Sequence, residues 1–273
     1  MNKQYVRRLF IFVVFANVVL AVHLHGQTSQ TSQKSQTDIT SDPVTLSNMH
    51  KALDAMGGEQ VWSTQHAASS HASVTDLQKN TKHELYMIDD WSTDEVRYRR
   101  RIPGGNQPTT EHAGGKSWTV TRSGIERKVP EFDQASTLVL HLPGAAAMIL
   151  INHNKEYILR NSPSRLCTTD NLCIDVYRRS DSGVIMLIQR WELSQSTYLP
   201  TTISIRLHGP NVSARPMWET VTYNKYLTSG SIINPTELEV VYPNHAVRSF
   251  VLESPVFKEK YDTAIFDQEH ANE

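Results

Sequence analysis

The chain has 273 residues, of which 39% are hydrophobic, 20% charged and 8% aromatic, a globular composition that excludes collagen-like, coiled-coil and wholly disordered architectures. Lys and Arg total 27 against 28 for Asp and Glu. That balance leaves no basic surplus for a dedicated nucleic-acid surface, so no nucleic-acid partner is expected.

The first residues carry Lys3, Arg7 and Arg8, then an apolar run from Leu9 to Val22, then a polar stretch. This is the order of a secretory signal, and residues 1–26 are predicted to be cleaved after Ala21 or, at the break in composition, after Gly26. The run is shorter than the ~20 residues a membrane-spanning helix needs, so no permanent membrane span is expected after processing. Processing removes three basic side chains and leaves a mildly acidic chain. Residues 27–41 form a Gln/Ser/Thr tether, with Gln27, Gln30, Gln33 and Gln36 at a period of three and no apolar side chain before Ile39.

A helix is predicted from Asp42-Pro43, an N-cap followed by proline at the first helical position, to the Gly57-Gly58 stop. Met49, Ala52, Leu53 and Met56 fall on one stripe of it, which reads as a helix packed on a sheet. From His66 the period changes to two: Ala68, Ser70, Ala72 and Val74 alternate with polar neighbours, and HELYMI and EVRYRRRI follow around the connection DDWSTD. These are strands of an antiparallel meander. Val96, Tyr98, Arg100 and Ile102 share one face of the third, and Arg97, Arg99 and Arg101 the other, read as a solvated sheet face. Turns at 103–105, 114–115 and 123–124 punctuate further short runs, SWTVT among them, with Trp118 and Val120 on one face.

A second helix is predicted within residues 134–154, started or kinked at Pro143 and with an apolar body from Ala145 to Ile151. Cys167 and Cys173 then enclose TTDNL, whose Asp170-Asn171 is turn chemistry. In an exported chain a disulfide across this hairpin is expected, contributing about 2–3 kcal/mol by restricting the unfolded chain. A metal is not expected, because there is no second Cys pair and the nearest histidine, His153, lies outside the hairpin. Strands fill the remainder: EYILR, CIDVYRR, VIMLIQRWEL, TTISIRL, WETVTYNKYL, TELEVVY and VRSFVLESPVF. The reading is one β-rich domain over residues 42–267 with two helices, an α+β class, and a tail over 268–273.

No catalytic, metal or cofactor residue emerges. GGKS at 114–117 ends like a phosphate loop, but Thr110 stands where the first glycine belongs and the flanks are strands. His66 and His71 are five apart, on opposite faces of a strand, and there is no HExxH, GxSxG or CxxC. Asp89, Asp90, Asp94 and Glu95 cluster in a predicted turn, where solvated capping is their expected role. The protein is therefore expected not to be an enzyme.

Two stretches together carry a family resemblance. MGGEQVW ends the first helix and leads into a long strand; near the C-terminus come Tyr223 to Tyr226, the turn Ser229-Gly230, Pro235, the strand region Val247 to Phe257, and Asp262 with Phe266 in a terminal Asp-x-x-x-Phe. This order resembles the LolA-like, outer-membrane-lipoprotein-sorting superfamily of exported bacterial proteins. The cysteine pair and the tether are not part of that pattern. The resemblance implies a strongly curved antiparallel sheet, an incomplete or half barrel, with helices over its concave apolar face.

It also implies a periplasmic or secreted module that holds a hydrophobic small molecule or acyl chain, a carrier in envelope biogenesis with no cofactor. The cavity it implies would be lined by Leu53, Met56, Met148 and Leu150 from the helices and by Tyr98, Trp118 and Leu187 from the sheet. The alternative is a non-catalytic structural or interaction protein of the envelope, partnered by another envelope protein, whose concave face is filled by its own helices.

Overall fold

The computed structural model describes residues 39–92, 96–101, 109–113, 116–120, 141–168, 170–180, 182–207 and 217–266. The predicted signal, the tether up to Asp38, the turns at 103–105, 114–115 and 123–124, the start of the second helical segment before His141 and the tail lie outside the described residues.

Helix α1 spans Pro43–Ala55. The Asp42 carboxylate accepts the Thr45 amide at 3.0 Å, so one of the free N–H groups of the first turn is satisfied by the residue before the proline. The helix stops at Gly57, whose φ of +123° a side chain would strain and whose Cα faces the Ser231 carbonyl too closely for a Cβ. A short helix α2, Glu59–Trp62, follows, and α3 runs from Pro143 to Asn152, again with proline in its first turn.

Thirteen strands are described. The first five are β1 (Ala67–Asp76), β2 (Thr81–Asp90), β3 (Arg97–Arg101), β4 (Thr109–Ala113) and β5 (Lys116–Val120). After α3 come β6 (Tyr157–Asn161), β7 (Asn171–Arg179), β8 (Ile185–Ser194), β9 (Pro200–Leu207), β10 (Met217–Ser229), β11 (Ile232–Val241), β12 (Val247–Leu252) and β13 (Val256–Lys258). They form one antiparallel sheet ordered β5-β4-β3-β2-β1-β12-β11-β10-β9-β8-β7-β6, with β13 also paired to β1. Each half is a meander of sequential neighbours, and the halves join where Ala72 pairs with Leu252. The two end strands do not pair among the described residues, so the sheet is an open, curved half barrel.

One face of this sheet carries the core. Ala68, Ala72, Val74, Met87, Val176, Trp191, Leu193, Ile203, Val221, Leu238, Val240 and Phe250 are buried in one continuous cluster with Met49, Leu53 and Met56 of α1, Trp62 of α2, and Met148 and Leu150 of α3. The helices therefore lie over the apolar face, as the period-two strands and the 3.6-period stripe require together. The edge of β6 is lined by the chain just before α1. There the Asp42 amide donates to the Leu159 carbonyl at 2.8 Å and the Leu159 amide to Ser41 Oγ at 3.1 Å, so Ser41, within the expected tether, is tied to the sheet.

The Cys167–Cys173 disulfide is present. Its first cysteine follows a 3-10 turn, Ser164–Leu166, and only the second is in a strand, so the bond fastens the β6–β7 connection to β7 instead of joining two strands.

Where α3 crosses α2 there is no room for a side chain. A Cβ on Gly144 would stand 2.5 Å from two ring carbons of Trp62. The indole cannot step aside: its Nε1 donates to the Met56 carbonyl at 3.1 Å, and its ring meets Phe257 edge-on with centroids 5.6 Å apart. Gly144→Ala is expected to destabilise the protein by about 1–3 kcal/mol through overpacking. Combining it with Trp62→Leu should cost less than the sum of the two single changes in urea denaturation, because both act on one contact.

Candidate ligand-binding site on the concave face

The residues expected to line a cavity separate into two groups. Leu53, Met56, Met148 and Leu150 are brought together, 1%, 0%, 7% and 2% exposed, as members of the packed cluster. They meet one another and the sheet as core. Tyr98 is also buried, with the Arg100 guanidinium 5.3 Å from its ring centre, but it stands outside that cluster. Trp118 sits in β5 opposite Glu111, and its side chain lies outside the described residues. Leu187 is half-buried and outside the cluster. A bulge explains it: Val176 pairs with Gln189 but Tyr177 pairs with Leu187, so Ile188 is skipped and takes the inward position.

Polar groups interrupt the apolar face. Asp89 pairs in register with Tyr98, and Met87 with Arg100, so all four share the side of the sheet that Met87 gives to the core. Asp89, 2% exposed, forms an ion pair with Arg100. Asp89 and Asp90 belong to β2, contrary to the solvated turn expected of them. Asp90, equally buried, accepts the amides of Ser92 and Tyr261, at 2.9 and 2.8 Å. Arg99, expected in solvent, is 7% exposed and donates to the Ile265 carbonyl at 3.1 Å, because the C-terminal 3-10 helix, Thr263–Phe266, covers that side of β3.

His141, just before α3, lies 5.9 Å from the Phe250 ring, and its Nδ1 is buried without a hydrogen-bond partner. Burial, with the positive charge of Arg100 second, holds its imidazole well below the ordinary histidine range. On β11, Asn234 and Thr236 are further interruptions, with both amide ends of Asn234 and the Thr236 hydroxyl buried and unpartnered.

At the opposite end from the β10–β11 hairpin, where the Ile233 amide meets the end of α1 at the Met56 carbonyl, the concave face opens. A cavity of about 360 Å³ lies there, lined by Met217, Tyr242, Pro243, Asn244, Ala246 and Arg248. Two registers place its polar groups. Val240 pairs with both Val221 and Arg248, so Arg248 shares the inward face, and Thr220 pairs with Val241, so Glu219 falls beside Tyr242 on that same face. The Arg248 guanidinium lies 5.0 Å from the Tyr242 ring centre and its Nε is buried and unpartnered. Burial pushes the Glu219 carboxyl up to about 7 despite the opposing attraction of Arg248. No local signal marked this rim, since its residues come from two strands and a turn and the strand residues each read in sequence as an ordinary alternating position. No group of His, Cys, Asp and Glu among the described residues could hold a metal ion, and none of their helices is long and apolar enough to cross a membrane.

No family model matches the sequence, and no curated protein is significantly similar to it. Solved structures do match. A domain from Vibrio parahaemolyticus described as outer membrane lipoprotein-sorting superposes with a TM-score of 0.52 at 7% identity, covering 84% of this chain and 98% of that one. A DUF1329 family protein from Desulfovibrio piger gives 0.50 at 10% identity, covering 84% and 99%. A LolA superfamily protein from Nitrosomonas europaea gives 0.49 at 12% identity, covering 83% and 98%. The first two likenesses establish the architecture, an open, curved half barrel with helices over its apolar face, which is the fold the family resemblance implied.

Proposed function

We propose that this chain is an exported, non-catalytic binding module of the cell envelope that holds a hydrophobic ligand at the open end of its half barrel. The observation that carries the reading is the rim cavity. It has the size of a small ligand site and an apolar lining with one charged side chain, the ratio that fixes a greasy molecule without needing a cofactor. Met217, 45% exposed, offers a flexible apolar surface at its mouth. Export and an oxidising compartment are supported by the basic and apolar start of the chain and by the Cys167–Cys173 bond. The lipoprotein-sorting description of the Vibrio parahaemolyticus domain makes an acyl chain or an envelope protein the natural class of partner.

The second reading, an interaction protein with a filled core, is favoured by the burial of Leu53, Met56, Met148 and Leu150 in packed contact. Native mass spectrometry of protein recovered from its own envelope, together with titration of a fluorescent fatty acid, separates the two. The binding module predicts a co-purified or saturably bound ligand that Ala246→Trp displaces by filling the rim, while Met148→Trp does not compete for that space. If the folded mature protein carries nothing and shows no saturable binding, the interaction reading replaces this one.

A further inference from the structure

The rim cavity carries more than an apolar lining, and its charges narrow the class of ligand. Arg248 projects into it from β12 with no ion pair to a carboxylate among the described residues; its side chain hydrogen-bonds that of Tyr242, and its Nε is buried and unpartnered. A half-buried guanidinium with an open Nε donor is a seat for an anion. The same cavity offers Met217, Pro243 and Ala246, which have nothing to give a free ion and suit an alkyl chain. We propose that the rim binds a single-chain amphiphile with an anionic head, the head seated on Arg248 and the ionisation of Glu219 weakening its hold. This rests on the binding-module reading above and names its ligand.

The groups around Glu219 fix the sign. From β12 it faces Arg248, from the turn after β11 Tyr242, and from β9 and β8 the uncharged Ile205 and Gln189, its partners across the sheet. Asp76 of β1 stands opposite Arg248 but is tied by the amides of Gln78 and Lys79 at 3.1 and 3.0 Å, which hold its carboxyl below the ordinary range. Asp76 is thus charged on both sides of neutrality and supplies no switch. His245 is the other titratable group on the turn between Tyr242 and Ala246. With Glu219 pushed up to about 7, its carboxyl is neutral at pH 6 and leaves Arg248 to the ligand. At pH 8.5 it is ionised and competes with the head for the same guanidinium.

The test uses the mature protein and three probes by calorimetry: dodecanesulfonate, whose head does not titrate, the neutral monolaurin, and inorganic sulfate. Dodecanesulfonate is expected to bind about tenfold more tightly at pH 6 than at pH 8.5, and Arg248→Gln to lose about tenfold for it at pH 6 while monolaurin is unaffected. Glu219→Gln is expected to bind dodecanesulfonate at pH 8.5 as tightly as the unmodified protein does at pH 6, and His245→Gln to keep the pH dependence. Equal, pH-independent binding of dodecanesulfonate and monolaurin would overturn the anionic-head inference and leave the binding module standing. Sulfate binding as well as dodecanesulfonate would overturn the amphiphile, a pH dependence that survives Glu219→Gln would overturn the role of that carboxyl, and no binding of any probe would remove both readings.

Discussion

Asp89→Ala is expected to cost about 3–5 kcal/mol of folding stability, a large share of what a domain has, because it strands a buried guanidinium. The Arg100 side chain is 11% exposed, and its other acceptors are the main-chain oxygens of Ile88 and Arg99, each at 3.0 Å and neither charged. The pair itself is a weaker stabiliser than its breakage suggests. Burial raises the Asp89 carboxyl above its ordinary value, with the attraction of Arg100 only partly offsetting it. Replacing both members, as Asp89→Leu with Arg100→Met, should therefore recover most of the loss in urea titration.

The same cluster gives a pH signature. A carboxyl raised on folding contributes stability that is complete below its unfolded pKa of ~4 and is lost as pH rises through the folded value; Asp89→Asn abolishes that component. The depressed imidazole of His141 acts in the other direction, contributing stability above about pH 6.5 that is lost as pH falls, and His141→Phe abolishes it. Urea midpoints of the protein and the two variants between pH 4 and pH 8 measure both slopes.

Phe266→Ala should be as damaging, by about 3–5 kcal/mol. Phe266 is fully buried, outside the main cluster. The turn that carries it packs on β3 and β4 and supplies the Ile265 carbonyl to Arg99. Its loss loosens the cover over Arg99. Val256→Ala, at a position 60% exposed on β13, is the control and should move the urea midpoint little.

How far the sequence could be read follows from how local each signal is. Asp42-Pro43 and Gly57-Gly58 bracket α1, and Pro143 with seven apolar residues after it defines α3, because caps and breakers act within one turn of chain. Period-two alternation located the strands for the same reason. It failed at Leu187, where one skipped residue at the bulge reverses every assignment beyond it. It failed also at Asp89 and Asp90, whose neighbours Ser92 and Thr93 read as a turn while the strand partners that make them sheet residues, Ala68 with Tyr98 and Ala67 with Arg97, come from other elements. The solvated arginine face failed because the cover over Arg99 is the far end of the chain. Of the candidate site, the apolar helix stripe was legible; the rim was not, since Glu219, Tyr242 and Arg248 meet only through two strand registers.

The pairing of β1 with β12 joins the first strand to a late one at the middle of the sheet, and this governs the order in which the protein can assemble. Each meander needs only sequential contacts and can form early, whereas the seam between them closes a far longer loop than any pairing within a meander and must come late. A nascent chain that has not yet released Val247–Leu252 consequently holds β1 and β11 with unsatisfied main-chain groups at what will become the centre of the sheet. Until Val247–Leu252 is available the native sheet does not exist, and whatever handles the chain before then meets two separate half-sheets with their apolar faces in water.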